Sequence, residues 1–553
     1  MTLIDRRVGL LFSLFVLLLV IVVARASWVQ AVQGGSLSAD AQSQQVETVL
    51  IPGHRGSILD RKGKPLAVSE DAASVFATPY QVEDPARAAR KLARVLELPA
   101  EELLAALADR TSGFAYLARK VDLETAERIR DLDLAGIGLL PDSRRVYPQG
   151  RIAGQVIGSV GTDNQGLTGL EAAHEDVLGG DDGELEVVRD ALGDELGRTT
   201  IDGAELGQDL RLTIDASIQS RADEVLKGIG RTYEPDGATA LVLDPRTSEV
   251  LAMANWPGVD PADPTGADPD LLGNMATGFT FEPGSTFKAF TVAGALDDGI
   301  VEPGTVFDLP PTITIYDRTI GEAHERGHVS LTVADILAQS SNVGAVKIGL
   351  ELGGRRFDHW IRRFGFGAPT GIDFPGEEQG IVIPPEDYSG STMGNLPIGQ
   401  GLSVTAAQMV GGFAAIANGG ILQTPRLILE SDGDAVGPPA GKRVIRRSTA
   451  KRVSEMLEGV LAAGGTAEET TVEGYTLAGK TGTAQKVVDG EYSETEYVAS
   501  FIGFAPADDP RLLVSIVVDN PKGDHYGGSV AAPAFGEIAK FALPYLGIAP
   551  DGG

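Results

Sequence analysis

The longest apolar run lies close to the N-terminus. Val8 to Ala24, "VGLLFSLFVLLLVIVVA", is seventeen residues without a charge, preceded by Arg6 and Arg7 and followed by Arg25 and Trp28. At ~1.5 Å rise per residue, continuing it through Val29 brings the helix close to the ~30 Å hydrocarbon thickness of a bilayer. Arg25 can snorkel and Trp28 can sit at the interface. The pattern predicts a membrane anchor over residues 1–29. Ala24-Arg25-Ala26 also resembles a signal-peptide cleavage site, but the apolar run is longer than a usual h-region. On the far side Arg25 is the only Lys or Arg before Arg55. The positive-inside rule therefore puts the N-terminus in the cytoplasm and everything after about residue 30 outside.

Downstream the pattern shifts several times. Residues 30–50 are polar and rich in Ala, Gln and Ser, and read as a stalk. His54 to Ser69 reads as a hairpin turning through Asp60–Lys64. From Asp84 to Asp109 the apolar spacing becomes helical, with Leu92, Val95 and Leu96, then Leu103, Leu104 and Leu107, in two helices separated by Pro99. "GLTGLEAAHEDVLGG", Gly166 to Gly180, reads as a turn entering a short helix that stops at Gly179. Asp209 to Asp215 alternates like a strand, and Ala216 to Lys227 reads as a helix with Ile218, Ala222 and Val225 on one face. Glu234-Pro235-Asp236-Gly237 is a turn, and the main domain boundary is placed there, near residue 235. "ATALVLDPRTSEVLAMAN" then gives two apolar strands around Asp244-Pro245. No internal repeat is visible, and no later run is apolar enough to cross a membrane.

Composition narrows the function classes. The 553 residues allow three or four domains, with ordinary hydrophobic content at 43%. The net charge of −31, from 46 basic and 77 acidic residues, argues against non-specific nucleic-acid binding and fits a solvated acidic surface. There is no cysteine, which removes disulfides, thiolate metal sites and cysteine nucleophiles together.

The candidate chemistry lies after residue 235, in three boxes. In "FEPGSTFKAFTVAGAL", Ser285 and Lys288 are three apart, which on a helix stacks both on one face within hydrogen-bond reach. Pro283 and Gly284 mark the helix start, at the positive end of its dipole. A serine hydroxyl needs a base, and a lysine serves as one only when burial or a neighbouring cation lowers its pKa from ~10.4. In "AQSSNVGAV", Ser340 and Asn342 flank Ser341. A hydroxyl there could relay a proton, and an amide could hold a substrate backbone. Taken alone, the second box also fits a polar turn or helix cap.

The third box admits two readings. In "GYTLAGKTGT", Gly474, Gly479, Lys480 and Thr481 match the phosphate-loop pattern, while Lys480, Thr481, Gly482 and Thr483 read as a Lys-Thr-Gly strand. On a strand, Lys480 supplies positive charge, Thr481 and Thr483 offer hydroxyls to a substrate carboxylate, and Gly482 allows close approach of a substrate backbone. "LLVSIVVDN", Leu512 to Asn520, lends the phosphate loop some support as a strand ending in Asp519. Against it, Val472–Gly474 is a poor strand, Asp489-Gly490 reads as a hairpin turn where a helix is required, and only 72 residues follow Thr481. An extracytoplasmic location, poor in nucleotide triphosphate, counts against it too. His324 and His328, flanked by Glu322 and Glu325, are weak metal candidates because Gly327 and the strand-like "HVSLT" oppose a shared helix. "GGDDGE", Gly179 to Glu184, lacks the spacing of a calcium loop.

The order Ser285-Lys288, Ser340-Asn342, Lys480-Gly482 is far more specific than any one box, and it is the set found in β-lactamases and penicillin-binding proteins. With "RGSILDRKGKPLA", "GLTGLEAAHEDVLGG", "LRLTIDASIQ", "GIDFPGE" and "IGQGLSVTAAQ", nearly the whole chain resembles a class B penicillin-binding protein. The tail "VASFIGFAPADDPRLLVSIVVDNPKGDHYGGSVAAPAF" is similar to the division-specific, FtsI-type branch, penicillin-binding protein 3. Ser248 stands where that family usually has glycine, and Ala262 where it usually has asparagine.

The resemblance implies an α+β multidomain chain: an anchor (1–29), an elongated α/β pedestal of the dimerisation type (30–235), a transpeptidase domain with a central antiparallel sheet flanked by helices (236–548), and a short tail (549–553). It implies Ser285 as nucleophile, Lys288 as base, Ser340 as proton relay, and backbone N–H groups of Ser285 and Thr483 as oxyanion hole. Donor and acceptor peptidoglycan stem peptides would be the substrates and β-lactams the inhibitors, with no metal or organic cofactor. An FtsW-type glycosyltransferase and other division proteins would be partners at the cytoplasmic membrane. A β-lactamase or D,D-carboxypeptidase uses the same boxes but gives the acyl group to water, and does not account for the anchor and the long arm before the catalytic domain. A non-catalytic β-lactam sensor or assembly scaffold would leave the intact boxes without a purpose.

Overall fold

A computed structural model describes residues 3–29, 46–189, 195–266 and 268–552. Residues Leu3–Trp28 form one helix. Its Val8–Trp28 stretch is the one helix among the described residues long and apolar enough to cross a membrane. The polar stretch read as a stalk lies outside the described residues as far as residue 45. Its end is a strand, because Val46–Ile51 pairs antiparallel with Gly183–Arg189, which pairs in turn with Glu195–Asp202.

The chain divides into two compact units. One comprises Met1–His54, Asp71–Arg144 and Gly180–Leu206. In it Pro99 separates helices Pro85–Leu96 and Ala100–Ala108, and the Asp84 side chain accepts from Arg87 N–H to start the first. Leu92, Leu103 and Leu107 bury against Val75, Ala77 and Leu117, whereas Leu104 stays partly exposed.

The other unit comprises Arg55–Glu70, Arg145–Gly179 and Gly207–Gly553. In its hairpin, Ile58–Leu59 pairs antiparallel with the strand beginning at Pro65. The Asp60 carboxylate accepts the N–H groups of Lys62 and Lys64, each at 2.8 Å, which holds the tight turn. Glu171, fully buried, takes Arg55 at 3.0 Å and Arg145 at 2.7 Å, and Glu175 meets Arg55 at 2.8 Å. Two early motifs more than a hundred positions apart thus meet in one ion-pair cluster. Breaking such a buried pair leaves a desolvated charge.

The site rests on a five-stranded antiparallel sheet: β1 (Gly237–Asp244), β2 (Glu249–Trp256), β3 (Ala478–Val488), β4 (Glu491–Ala505) and β5 (Leu512–Asp519), in spatial order β2-β1-β5-β4-β3. Five helices matter to it: α1 (Ala216–Tyr233), α2 (Lys288–Asp297), α3 (Asn342–Leu352), α4 (Ala406–Ala417) and α5 (Ala532–Tyr545). Successive side chains of a strand face opposite ways, so a sheet covered on both faces reads as a continuous apolar run. In β1, Ala238, Ala240 and Val242 pack with Ile218, Ala222 and Leu226 of α1 and Ile538 of α5. Leu241 and Leu243 pack on the other side with Phe290 of α2 and Phe413 of α4. The helix begun at Ala216 runs on to Tyr233, six residues beyond the sequence expectation. Asp489 and Gly490 both take positive φ (53° and 86°), the geometry of a two-residue hairpin between β3 and β4.

Ser248, in the turn between β1 and β2, also has positive φ, at 58°. A glycine would fit this conformation without strain, and a serine there costs roughly 1 kcal/mol. The buried Ser248 hydroxyl donates to Gln423 at 3.3 Å, which offsets part of that cost.

On α2, Phe290 is 2% exposed and lies within 4.9–5.3 Å, ring to ring, of Phe287, Phe364, Phe366 and Phe413. Phe290→Ala should destabilise this unit by about 3–5 kcal/mol. Chemical denaturation would show this as a lowered unfolding midpoint, and an unchanged midpoint would contradict the packing described.

Candidate active site

Ser285 sits in a single 3-10 turn, Gly284–Phe287, which runs into α2 at Lys288. Gly284 has φ +54°, and its N–H donates to Gly399 at 2.9 Å. A Cβ at Gly284 would lie 3.0 Å from the Thr483 carbonyl oxygen, so glycine lets the turn press against β3. Ser285 is partly exposed at this junction, whereas Lys288 is 1% exposed.

The spacing puts Ser285 and Lys288 within reach of one another, and the Lys288 amine is held by the second box. Lys288 Nζ donates to the Ser340 carbonyl (2.6 Å), Ser340 Oγ (3.2 Å) and Asn342 Oδ1 (2.6 Å). The reason is that a buried ammonium must satisfy three N–H donors. The second box supplies the acceptors.

That box is both the constellation and the cap that its residues allow. Ser341 is the N-cap of α3, its Oγ accepting from Gly344 N–H at 2.9 Å. Ser340, one residue earlier, is left-handed with φ +57°. Asn342 Nδ2 donates to the Gly321 carbonyl at 2.8 Å, so both ends of this amide are engaged within the protein. A residue that the sequence reading passed over holds the turn. Glu322 accepts from Ser341 Oγ (2.8 Å) and from the N–H groups of Asn342 (2.7 Å) and Val343 (3.3 Å), and it pairs with Arg326. Only the i,i+4 spacing of Glu322 and Arg326 signalled a relation, and that spacing alone is ordinary.

The third box lies on strand β3, followed by the hairpin into β4 and not by a helix. The phosphate-loop reading is thereby excluded, since it requires a loop opening into a helix. Gly474 sits in a turn (φ +84°) and Gly479 on the strand. Asp519, at the end of β5, pairs with Lys486 at 2.7 Å. Lys480 is fully buried, with Nζ 3.2 Å from the Thr481 carbonyl and 3.3 Å from Thr481 Oγ1. Thr481 is buried and shares a 2.6 Å hydrogen bond with Thr466, so its hydroxyl is turned to the protein. Thr483 is partly exposed, and its Oγ1 accepts from Gly527 N–H at 3.1 Å. A Cβ at Gly482 would lie 2.3 Å from Ser500 Oγ and 2.9 Å from the Pro283 carbonyl, so this glycine lets β3 meet the Ser285 turn.

The electrostatics follow from burial. Lys288 is pulled down to about 7, chiefly by desolvation. Glu322 opposes the shift and Arg326 adds to it. Lys480 is lowered well below the ordinary lysine range by burial and by Lys288 beside it. His328 lies 3.3 Å from Asp308 at the surface, and the His324 ring lies 5.5 Å from that of Tyr526, tilted by 43°. Among the described residues no group of three or more His, Cys, Asp or Glu is arranged to hold a metal.

The structure thus joins Lys288 to Ser340 and Asn342 and sets Lys480 close enough for the two lysines to act on one another, with Ser285, Gly482 and Thr483 where the turn meets the strand. Carbon-13 lysine NMR, assigned with Lys288→Arg, should show Lys288 titrating near 7. A midpoint in the ordinary lysine range would contradict the burial argument.

Comparison with known proteins adds a separate line of evidence. The family described as "Penicillin binding protein transpeptidase domain" matches residues 238–540, and "Penicillin-binding Protein dimerisation domain" matches residues 50–212. "Stage V sporulation protein D" of Bacillus subtilis is 38% identical, covering 98% of this chain and 86% of its own length. "Peptidoglycan D,D-transpeptidase FtsI" of Escherichia coli K12 is 33% identical, covering 99% and 93%. The crystal structure of penicillin binding protein 3 of Mycobacterium tuberculosis complexed with aztreonam aligns with a TM-score of 0.71 at 31% identity, covering 91% of this chain and 98% of that one.

Proposed function

The chain belongs to the class B penicillin-binding proteins, with a dimerisation module and a transpeptidase module, and from that premise we propose that it cross-links peptidoglycan stem peptides as a serine D,D-transpeptidase in septal wall synthesis. The observation that carries this reading is a buried lysine with depressed pKa, Lys288, three residues from a reachable serine and beside a second buried lysine.

Neutral Lys288 takes the Ser285 proton as Oγ attacks the penultimate D-Ala carbonyl of the donor stem. The C–N bond to the terminal D-Ala breaks, and the leaving amine is protonated through Ser340 and Lys288, already 3.2 Å apart. The backbone N–H groups of Ser285 and Thr483 receive the oxyanion; one such donor is worth ~3 kcal/mol in other enzymes. An acceptor amine then attacks the ester, forms the cross-link and releases Ser285.

Strand β3 ends the sheet order, so an extended peptide can lie along its free edge. The partly exposed Thr483 hydroxyl favours the substrate carboxylate, with Lys480 buried behind it, whereas the space beside Gly482 expected to admit a substrate backbone is filled by Ser500 and Pro283, so that glycine serves to close β3 on the Ser285 turn. Asn342 orients Lys288 through its Oδ1. β-Lactams would mimic the donor and remain as stable acyl-enzymes, a reading supported by the aztreonam and ampicillin complexes of the Mycobacterium tuberculosis relative.

The functional division runs as anchor (1–29), pedestal (30–235), transpeptidase (236–548) and tail (549–553). The N-terminal helix holds the protein in the cytoplasmic membrane as a single pass with the N-terminus inside, and the anchor and pedestal engage an FtsW-type glycosyltransferase and other division proteins. A sporulation role is the second reading, favoured by the 38% identical relative of that name. Depletion in the native cell separates the two: filaments support the septal role, and normal division with failed spores supports the other.

Mass spectrometry with labelled penicillin should find one covalent adduct, on Ser285, absent in Ser285→Ala. Lipid-linked precursor with a partner glycosyltransferase should yield cross-linked dimers. Shortened monomeric stems alone would indicate a carboxypeptidase, and no adduct on Ser285 would refute the acyl-enzyme.

A further inference from the structure

The segment between strands Arg318–Gly321 and Val329–Thr332 is largely exposed, yet it sends two charged side chains inward. The side chain of Glu322 is 6% exposed and that of Arg326 is 20% exposed. An exposed loop has no need of inward charges for its own stability, and a buried carboxylate without donors is costly.

Among the described residues Glu322 accepts from four donors. Three belong to Ser341, Asn342 and Val343, the first residues of the turn and helix that carry the second box, and the fourth is Arg326. Arg326 also donates to Ser341 Oγ at 2.7 Å, and Gly321 accepts from Asn342 Nδ2. Three residues of one segment thus grip three consecutive residues of another.

The grip has an object. Ser340 holds a left-handed conformation unusual for a residue with a side chain, and such a state persists only where its surroundings over-determine it. The Ser340 carbonyl and Asn342 Oδ1 are the two 2.6 Å acceptors of Lys288. Any shift of residues 340–342 moves the groups that locate the base. As an ordinary helix cap Ser341 suffices; the buried carboxylate adds orientation and charge that a cap does not require.

We propose that Glu322 and Arg326 are positioning residues for acylation, clamping the Ser340–Asn342 turn so that Lys288 is held in register beside Ser285. This rests on the acyl-transfer reading above. The charged groups facing Lys288 are Glu322 and Arg326 from this segment and Lys480 from β3; the Ser340–Asn342 turn contributes no charge.

The test uses the full-length protein and fluorescent penicillin, with the acylation rate measured against pH. Wild type is measured first: no labelling of Ser285 there defeats the acyl-transfer reading itself. Given wild-type labelling, Glu322→Gln and Arg326→Gln should each slow the acylation step by about ten- to hundredfold with little change in the preceding binding constant. The rising limb, which follows neutral Lys288, should move in opposite directions. Losing the Glu322 anion destabilises protonated Lys288 and moves the limb to lower pH; losing the Arg326 cation moves it to higher pH. Circular dichroism checks folding, and if Glu322→Gln does not fold, Arg326→Gln decides alone by its rate and the direction of its shift. Wild-type rates, or unmoved or same-direction limbs, would overturn the proposal while leaving the acyl-transfer reading intact.

Discussion

Two lysine side chains, Lys288 and Lys480, are buried completely and act electrostatically on one another. This is the constraint on which the rest of the site depends. Each desolvated ammonium is unfavourable, and two together more so, so the pair favours states short of full protonation at neutral pH. The nearby carboxylate, Glu322, is committed to the N-terminus of α3 and to Arg326, which limits how far it can neutralise Lys288.

Holding two like charges together requires rigid walls. One is the sheet, whose strand β3 carries Lys480 and is backed by cores on both faces. Another is α2, anchored by Phe290, two residues beyond Lys288, in the phenylalanine cluster. The third is the turn into α3, which offers Lys288 its three acceptors. Gly284 and Gly482 let the first two walls close: a methyl group at either position meets backbone oxygen at 3.0 Å or less. Ser285 lies at that closure, partly open to solvent, whereas Lys288 behind it is not.

Much of the scaffold was legible locally. The anchor, the Pro99-separated helices, the strands around Asp244-Pro245 and the Asp489-Gly490 hairpin follow from period, proline and turn chemistry. The strand at Val46–Ile51 was not, because residues 30–50 were read as one polar stalk although their last residues, VETVL, are mostly apolar and β-branched and pair with Gly183–Arg189. The end of α1 at Tyr233 was also missed, since packing on the sheet extends a helix past its clearest periodicity. The sequence contained Glu322 and Arg326 in plain view. Nothing local distinguishes them from a surface ion pair, because their partners lie 15 to 21 positions away.

Sequence alone determined the order of the three boxes, the strand character of "GKTGT" and the presence of an apolar helix long enough to span a bilayer, because these depend on neighbours a few residues apart. Tertiary structure decided which acceptors Lys288 takes, that Thr481 turns to Thr466 and not outward, and that a loop carboxylate sets the second box. Those outcomes depend on desolvation and on hydrogen-bond donors and acceptors brought together from distant segments, and burial of that kind exists only once the chain has folded.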